Sequence, residues 1–141
     1  MLDCVFCAIV RGELPSYRVF EDDDVMAFLD IQPTAAGHTL VVPKRHVPDL
    51  LSMPADMAGP LFGAVGRVAR AAASAHRADG VNVLQASGAA AGQTVNHLHV
   101  HVVPRRLGDG LRLHIAPGAK ADDKARMQAE AQRLADALER A

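Results

Sequence analysis

Gln93-Thr94-Val95-Asn96-His97-Leu98-His99-Val100-His101-Val102-Val103-Pro104 is the stretch that decides how the chain folds. From His97 to Val102 polar and apolar residues alternate, which is the period of a half-buried β-strand. That period turns Leu98, Val100 and Val102 toward a core. His97, His99 and His101 then stand in a row on the other face, with neighbours about 6–7 Å apart, two strand rises. Such a row suits two kinds of chemistry: coordination of a metal through ring nitrogens, or nucleophilic attack and proton donation at a phosphorus centre. Three positions along one straight strand spread too far to converge on one ion at about 2 Å from each nitrogen. Attack at phosphorus puts charge on the equatorial oxygens and so needs preorganised donors. The small-residue loop Ser87 to Gly92, with Gln93 and Thr94 after it, supplies backbone amides just ahead of the histidines.

Upstream, the sequence reads as short strands and one long helix. Val19-Phe20-Glu21 and Val25 to Leu29 flank the acidic turn Asp22-Asp23-Asp24, which is read as a solvated hairpin tip. A third strand is expected over about His38 to Pro43 and a fourth over Val81 to Gln85. Between them Leu61, Val65, Val68 and Ala72 recur at helical spacing, with Arg67, Arg70, Ser74 and Arg77 opposite, so an amphipathic helix runs to about His76. Its start is open between a Ser52 cap with a kink at Pro60 and a beginning at Pro60 itself. Gly59, Gly63 and Gly66 invite close approach of a neighbouring backbone, from the same chain or from another subunit. A last helix, starting at Asp122 or Asp123, carries Met127, Ala131, Leu134 and Leu138 on one side, over about 122–139. His76 and His114 are read as surface or packing histidines.

The chain has 141 residues, half of them hydrophobic, and a formal charge of −1. These values describe one ordinary globular domain over residues 1–141, and they give no footprint for a nucleic-acid polymer. Of its seven histidines and two cysteines, both cysteines lie in Cys4-Val5-Phe6-Cys7. A disulfide scaffold is excluded, and no stretch is long and apolar enough for a membrane span, so a cytoplasmic protein with reduced thiols is expected.

Four segments together resemble the histidine triad (HIT) family, in its nucleoside-phosphoramidase-like branch with the bacterial C-x-x-C variant. They are Cys4-Val5-Phe6-Cys7, Phe28-Leu29-Asp30-Ile31, Gly37-His38-Thr39-Leu40-Val41-Val42-Pro43-Lys44-Arg45-His46, and Gly92 to His101. With the strand that follows they cover Cys4 to Pro104, and no motif lies beyond. The resemblance implies an α+β, HIT-like fold: a five-stranded, mainly antiparallel sheet with a long central helix and a C-terminal helix.

It also implies a hydrolase or transferase acting at the α-phosphate of nucleoside phosphoramidates or dinucleoside polyphosphates, releasing a nucleoside monophosphate through a covalent nucleotidyl-histidine. The alternative is a purine-nucleotide-binding regulatory or scaffolding protein with little turnover. By resemblance His99 is the nucleophile, and His101 contacts the phosphate and serves as general acid. Asp30 grips the ribose hydroxyls, Ile31, Phe6 and Ile9 wall the base, Gln93 and Thr94 touch phosphate, and His38 stands beside the pocket. Cys4, Cys7, His46 and His97 resemble the structural zinc site of the C-x-x-C members, a closed Cys₂His₂ set with no position open for catalysis. The implied partners are a purine nucleotide or nucleotide conjugate and a second copy of the chain, paired through the long helix and an adjoining strand edge. One departure is Ala86, where many relatives carry asparagine, because a methyl donates no hydrogen bond near the phosphate.

Overall fold

The computed structural model describes residues 4–113 and 123–140. They fall into two units, Met1–Leu111 and Arg112–Ala141. The first holds α1 (Val5–Val10), β1 (Arg18–Glu21), β2 (Val25–Leu29), β3 (Thr39–Pro43), α2 (Ala58–His76), β4 (Gly80–Leu84) and β5 (Val100–Arg105). The second holds α3 (Lys124–Arg140). Asp123 sits just before α3 and accepts the Arg126 amide through Oδ1 at 3.1 Å, so the expected start at Asp123 is a real cap. Asp122 and His114 lie outside the described residues.

The five strands form one antiparallel sheet in the order β1-β2-β3-β5-β4. Its middle is covered on both faces, which is why Val25-Met26-Ala27-Phe28 and Leu40-Val41-Val42 are unbroken apolar runs. Val25, Ala27, Val41, Val100 and Val102 pack with Leu61, Val65 and Val68 of α2. On the opposite face Met26, Phe28, Leu40 and Val42 pack with Phe6 of α1. The alternation along the last strand thus divides as read, with Leu98, Val100 and Val102 in the α2 core. Leu98 is wholly buried, so Leu98→Ala is expected to cost about 2–5 kcal/mol of stability, measured by urea unfolding.

α2 differs from both expected starts. Two short 3₁₀ turns, Leu50–Ser52 and Ala55–Met57, lead directly into Ala58. Pro60 then falls in the first helical turn, where its missing N–H would have had no partner, and no kink is needed. At the other end Arg77 adopts φ 49° and gives its N–H to the carbonyls of Ala73 and Ser74, closing the helix. Among the described residues, a Cβ built on Gly59 or Gly63 would meet no atom within 4 Å, so their packing does not explain either glycine.

The strand carrying the histidines also begins later than its alternation suggests. β5 pairs with β3 only from Val41–Val100 onward. Before that point the Leu98 N–H turns to the Val47 carbonyl at 2.8 Å, and the His97 ring takes the Pro43 carbonyl. Pro43 has no N–H to extend the ladder, so His97 and His99 lie just outside it, with His97 in a bend.

Candidate active site and metal centre

α1 was not foreseen in the sequence. It is six residues long, lacks a polar N-cap of the usual kind, and starts when the Cys4 thiol accepts the Cys7 amide at 3.3 Å. This small helix delivers Phe6 and Ile9 to one site and both cysteines to another. Cys4 Sγ lies 3.4 Å from His97 Nδ1, Cys7 Sγ lies 3.3 Å from His46 Nδ1 and 3.5 Å from His97 Nδ1, and the two Nδ1 atoms are 3.1 Å apart. A tetrahedral zinc with bonds of about 2.3 Å to sulfur and 2.0–2.1 Å to nitrogen holds its ligand atoms about 3.3–3.8 Å apart. The donor set and its spacing therefore fit zinc.

Protonation agrees with that role. His97 Nε2 stands 2.8 Å from the Pro43 carbonyl, which only accepts, so Nε2 carries the proton and Nδ1 turns its lone pair to the cluster. Burial pushes the Cys7 thiol up, with the Cys4 sulfur adding to the effect. Metal loading must then displace thiol protons, so zinc affinity rises with pH.

The His99 tautomer is fixed in the same way. Its Nδ1 lies 2.7 Å from the His97 carbonyl oxygen, so Nδ1 is the protonated nitrogen and Nε2 keeps its lone pair. Phe6 meets the His97 and His99 rings edge-on, with centroids 5.9 and 5.2 Å away, and so stands between the cysteine–histidine cluster and His99.

His38 and His101 form a second, directional pair. The Thr34 N–H donates to His38 Nδ1 at 3.0 Å, leaving the proton of His38 on Nε2. That N–H faces His101 Nδ1 at 2.9 Å, so the proton of His101 is kept on its own Nε2. Asp30 Oδ2 lies 3.5 Å from His38 Nε2.

Both rings sit below the ordinary histidine range. Burial is the main cause for His38, opposed by Asp30. For His101 burial leads, His99 and His38 add to it, and Asp30 opposes, bringing it from 6.5 to about 4. Between these values the unfolded chain binds more protons than the folded one, so stability falls as pH drops through that window. Urea midpoints are expected to decline steadily from about pH 7 to pH 4.5, and His101→Gln is expected to flatten the decline.

Phe6, Ile9, Asp30, Ile31, Thr94, His99 and His101 all line one cavity of about 440 Å³. Gln93, expected to touch phosphate, does not line this cavity, and His38, expected beside the pocket, does not line it either. His38 is buried behind His101. Gln93 is buried too, with Oε1 accepting the Gly88 N–H at 2.7 Å and Nε2 donating to the carbonyls of Pro48 at 2.7 Å and Val95 at 2.9 Å. Its amide is thus committed to shaping the loop. Ser87, beside Ala86, is committed as well: its hydroxyl donates to Gln85 Oε1 and accepts the Leu50 N–H. Leu14 and Ser16 also line the cavity, from a connection whose sequence carries no periodic signal to reveal them.

An antiparallel sheet bearing a histidine row over a ligand-sized cavity, with α1 and α2 on its two faces, is the architecture of a histidine triad protein. The family model described as HIT domain matches residues 11–108, and the chain belongs to that family. The structure resembles SMU.412c of Streptococcus mutans with a TM-score of 0.92 and 42% identity, covering 98% of this chain and 87% of that one. It also resembles a zinc-bound histidine triad protein of Mycobacterium smegmatis, with a TM-score of 0.76, 41% identity, and coverage of 97% and 98%. Among curated proteins, the adenosine 5'-monophosphoramidase of Saccharomyces cerevisiae is 43% identical over 103 residues, 73% of this chain and 63% of that one. Among the described residues, no helix is long and apolar enough to cross a membrane.

Proposed function

We propose that the protein hydrolyses nucleoside phosphoramidates or dinucleoside polyphosphates at the α-phosphate and releases a nucleoside monophosphate. The carrying observation is the bond from His99 Nδ1–H to the His97 carbonyl, which leaves Nε2 unprotonated on a ring that lines the cavity. A purine lies between the apolar walls of Phe6, Ile9 and Ile31, the ribose hydroxyls bond to Asp30, and the Thr94 segment meets the phosphate.

His99 Nε2 attacks phosphorus and the bond to the leaving nitrogen or oxygen breaks in line. The anionic substrate raises the proton affinity of the His38–His101 pair, which takes up a proton and delivers it through His101 Nε2 to the leaving atom. The nucleotidyl-His99 ring now carries positive charge, held by the carbonyl of His97. Water then attacks phosphorus and gives its proton back to the pair, and His99 departs with its lone pair restored. Cys4, Cys7, His46 and His97 would hold zinc, which would supply a structural cross-link between α1, the segment after β3 and the approach to β5.

We also propose a homodimer. β4 ends the sheet, Val83 and Leu84 are 47% and 41% exposed, Phe62 on α2 is 43% exposed, and Gly59 and Gly63 leave the adjoining helix surface open. The reading is tested by rapid acid-free quenching of the protein with an adenosine phosphoramidate, followed by mass spectrometry. AMP release together with an adenylate adduct on His99 is expected. Tight nucleotide binding with neither product nor adduct would favour the binding-protein alternative.

A further inference from the structure

We infer that His76, the last residue of α2, is a positioning residue for the His38–His101 pair; the inference rests on the hydrolytic reading above. Three features lead to it. Gly37 has φ +89°, and a Cβ built there would lie 2.5 Å from His76 Nε2 and 2.6 Å from His76 Cδ2, with Pro104 Cγ at 3.1 Å. The Nε2–Cδ2 edge of the His76 imidazole therefore occupies the space a side chain at Gly37 would fill, immediately before His38. Only glycine permits this approach, both for its positive φ and for its missing side chain.

Among the described residues, the loop that His76 touches has little else beneath it. A hollow of about 470 Å³ opens there, lined by Thr34, Ala35, Ala36, His76, Pro104 and Arg106 among others. On its far side the same loop is bound to the reacting groups: the Thr34 N–H fixes the His38 tautomer, and His38 N–H is tied to the Ala35 carbonyl at 3.1 Å. A loop that settled into the hollow would withdraw the Thr34 amide and turn His38 away from His101.

His76 itself is well anchored. Arg106 donates to the His76 carbonyl at 2.7 Å, and the left-handed Arg77 closes the helix directly after it. The end of α2 is thus a fixed strut, and the ring is its contact pad. The consequence is selective. Losing the pad disturbs the proton path to the leaving group, while His99 stays held by the His97 carbonyl on the other side of the site.

The test compares two leaving groups in the full-length protein. An adenosine phosphoramidate with an alkylamine leaving group needs a proton to depart, whereas the 4-nitrophenyl ester of AMP departs as a stabilised anion. His76→Ala is expected to lower kcat/KM about tenfold on the first and less than about twofold on the second, the scale of a misplaced rather than a missing group. His76→Phe, which keeps an aromatic ring against Gly37, is expected to restore both. Gly37→Ala pushes the same contact apart from the loop side and is expected to reproduce the split with α2 unaltered. Imidazole ¹⁵N spectra should show His38 and His101 each in one tautomer in the wild type and averaged in His76→Ala. Equal losses on both substrates, an unchanged spectrum, or a His76→Phe protein that behaves like His76→Ala would overturn the inference. If the wild type turns over neither substrate, the hydrolytic reading fails, and the spectra alone still decide whether His76 orders the pair.

Discussion

Replacing His99 with alanine is expected to lower nucleoside monophosphate release by about a thousandfold or more, with nucleotide affinity changed only a few-fold. No other described ring lining the cavity has a free nitrogen placed to replace it. The Nε2 of His101 holds its proton because His38 occupies Nδ1, and His97 is turned toward the cysteines. Binding should survive because the base walls and Asp30 belong to other elements, α1 and the end of β2. Steady-state kinetics beside calorimetric titration of AMP separates the two effects. Residual turnover within about tenfold of wild type would mean that water attacks phosphorus directly, and the covalent route would be wrong.

The second large effect belongs to Cys7→Ser. The protein as purified should contain about one zinc per chain, and the variant close to none. Cys7 is buried and touches both histidines of the cluster, so serine there leaves a poor ligand facing two imidazole nitrogens. Binding energy for structural zinc is folding energy, and its loss is expected to cost several kcal/mol, on the order of a 10 °C fall in Tm. His99→Ala should keep both its zinc and its Tm. A Cys7→Ser protein with wild-type zinc content would place the metal elsewhere. One with no zinc and an unchanged Tm would deny the cluster a structural role.

Much of this site was legible in the residues. Alternation alone separated Leu98, Val100 and Val102 from the three histidines, because side-chain direction in extended backbone follows residue parity. The long helix was legible from its spacing, down to Leu61, Val65, Val68 and Ala72 on the buried side. What escaped had no local signal. α1 is too short and too apolar to announce itself, and its cap is a thiol. The late start of β5 depends on Pro43, a residue of another strand. Gln93 has the chemistry of a phosphate ligand, and only the positions of the Pro48, Val95 and Gly88 backbones show its amide already engaged. His76 carried no motif, and its contact with Gly37 joins parts of the chain that no spacing rule connects.

The departure of His97 and His99 from the ladder has a wider meaning. Residues of equal parity within a paired strand are obliged to point the same way, so a ladder continued through His97 would have given all three imidazoles one task. Released from pairing, the backbone can rotate between one histidine and the next, and the row divides its labour: one ring faces inward to the thiols and the next faces the cavity. The carbonyl between them then belongs to both. An anchored ring on one side sets the peptide plane that orients His99 on the other, so rigidity in the cysteine-facing half of the row becomes aim in the half that faces the cavity.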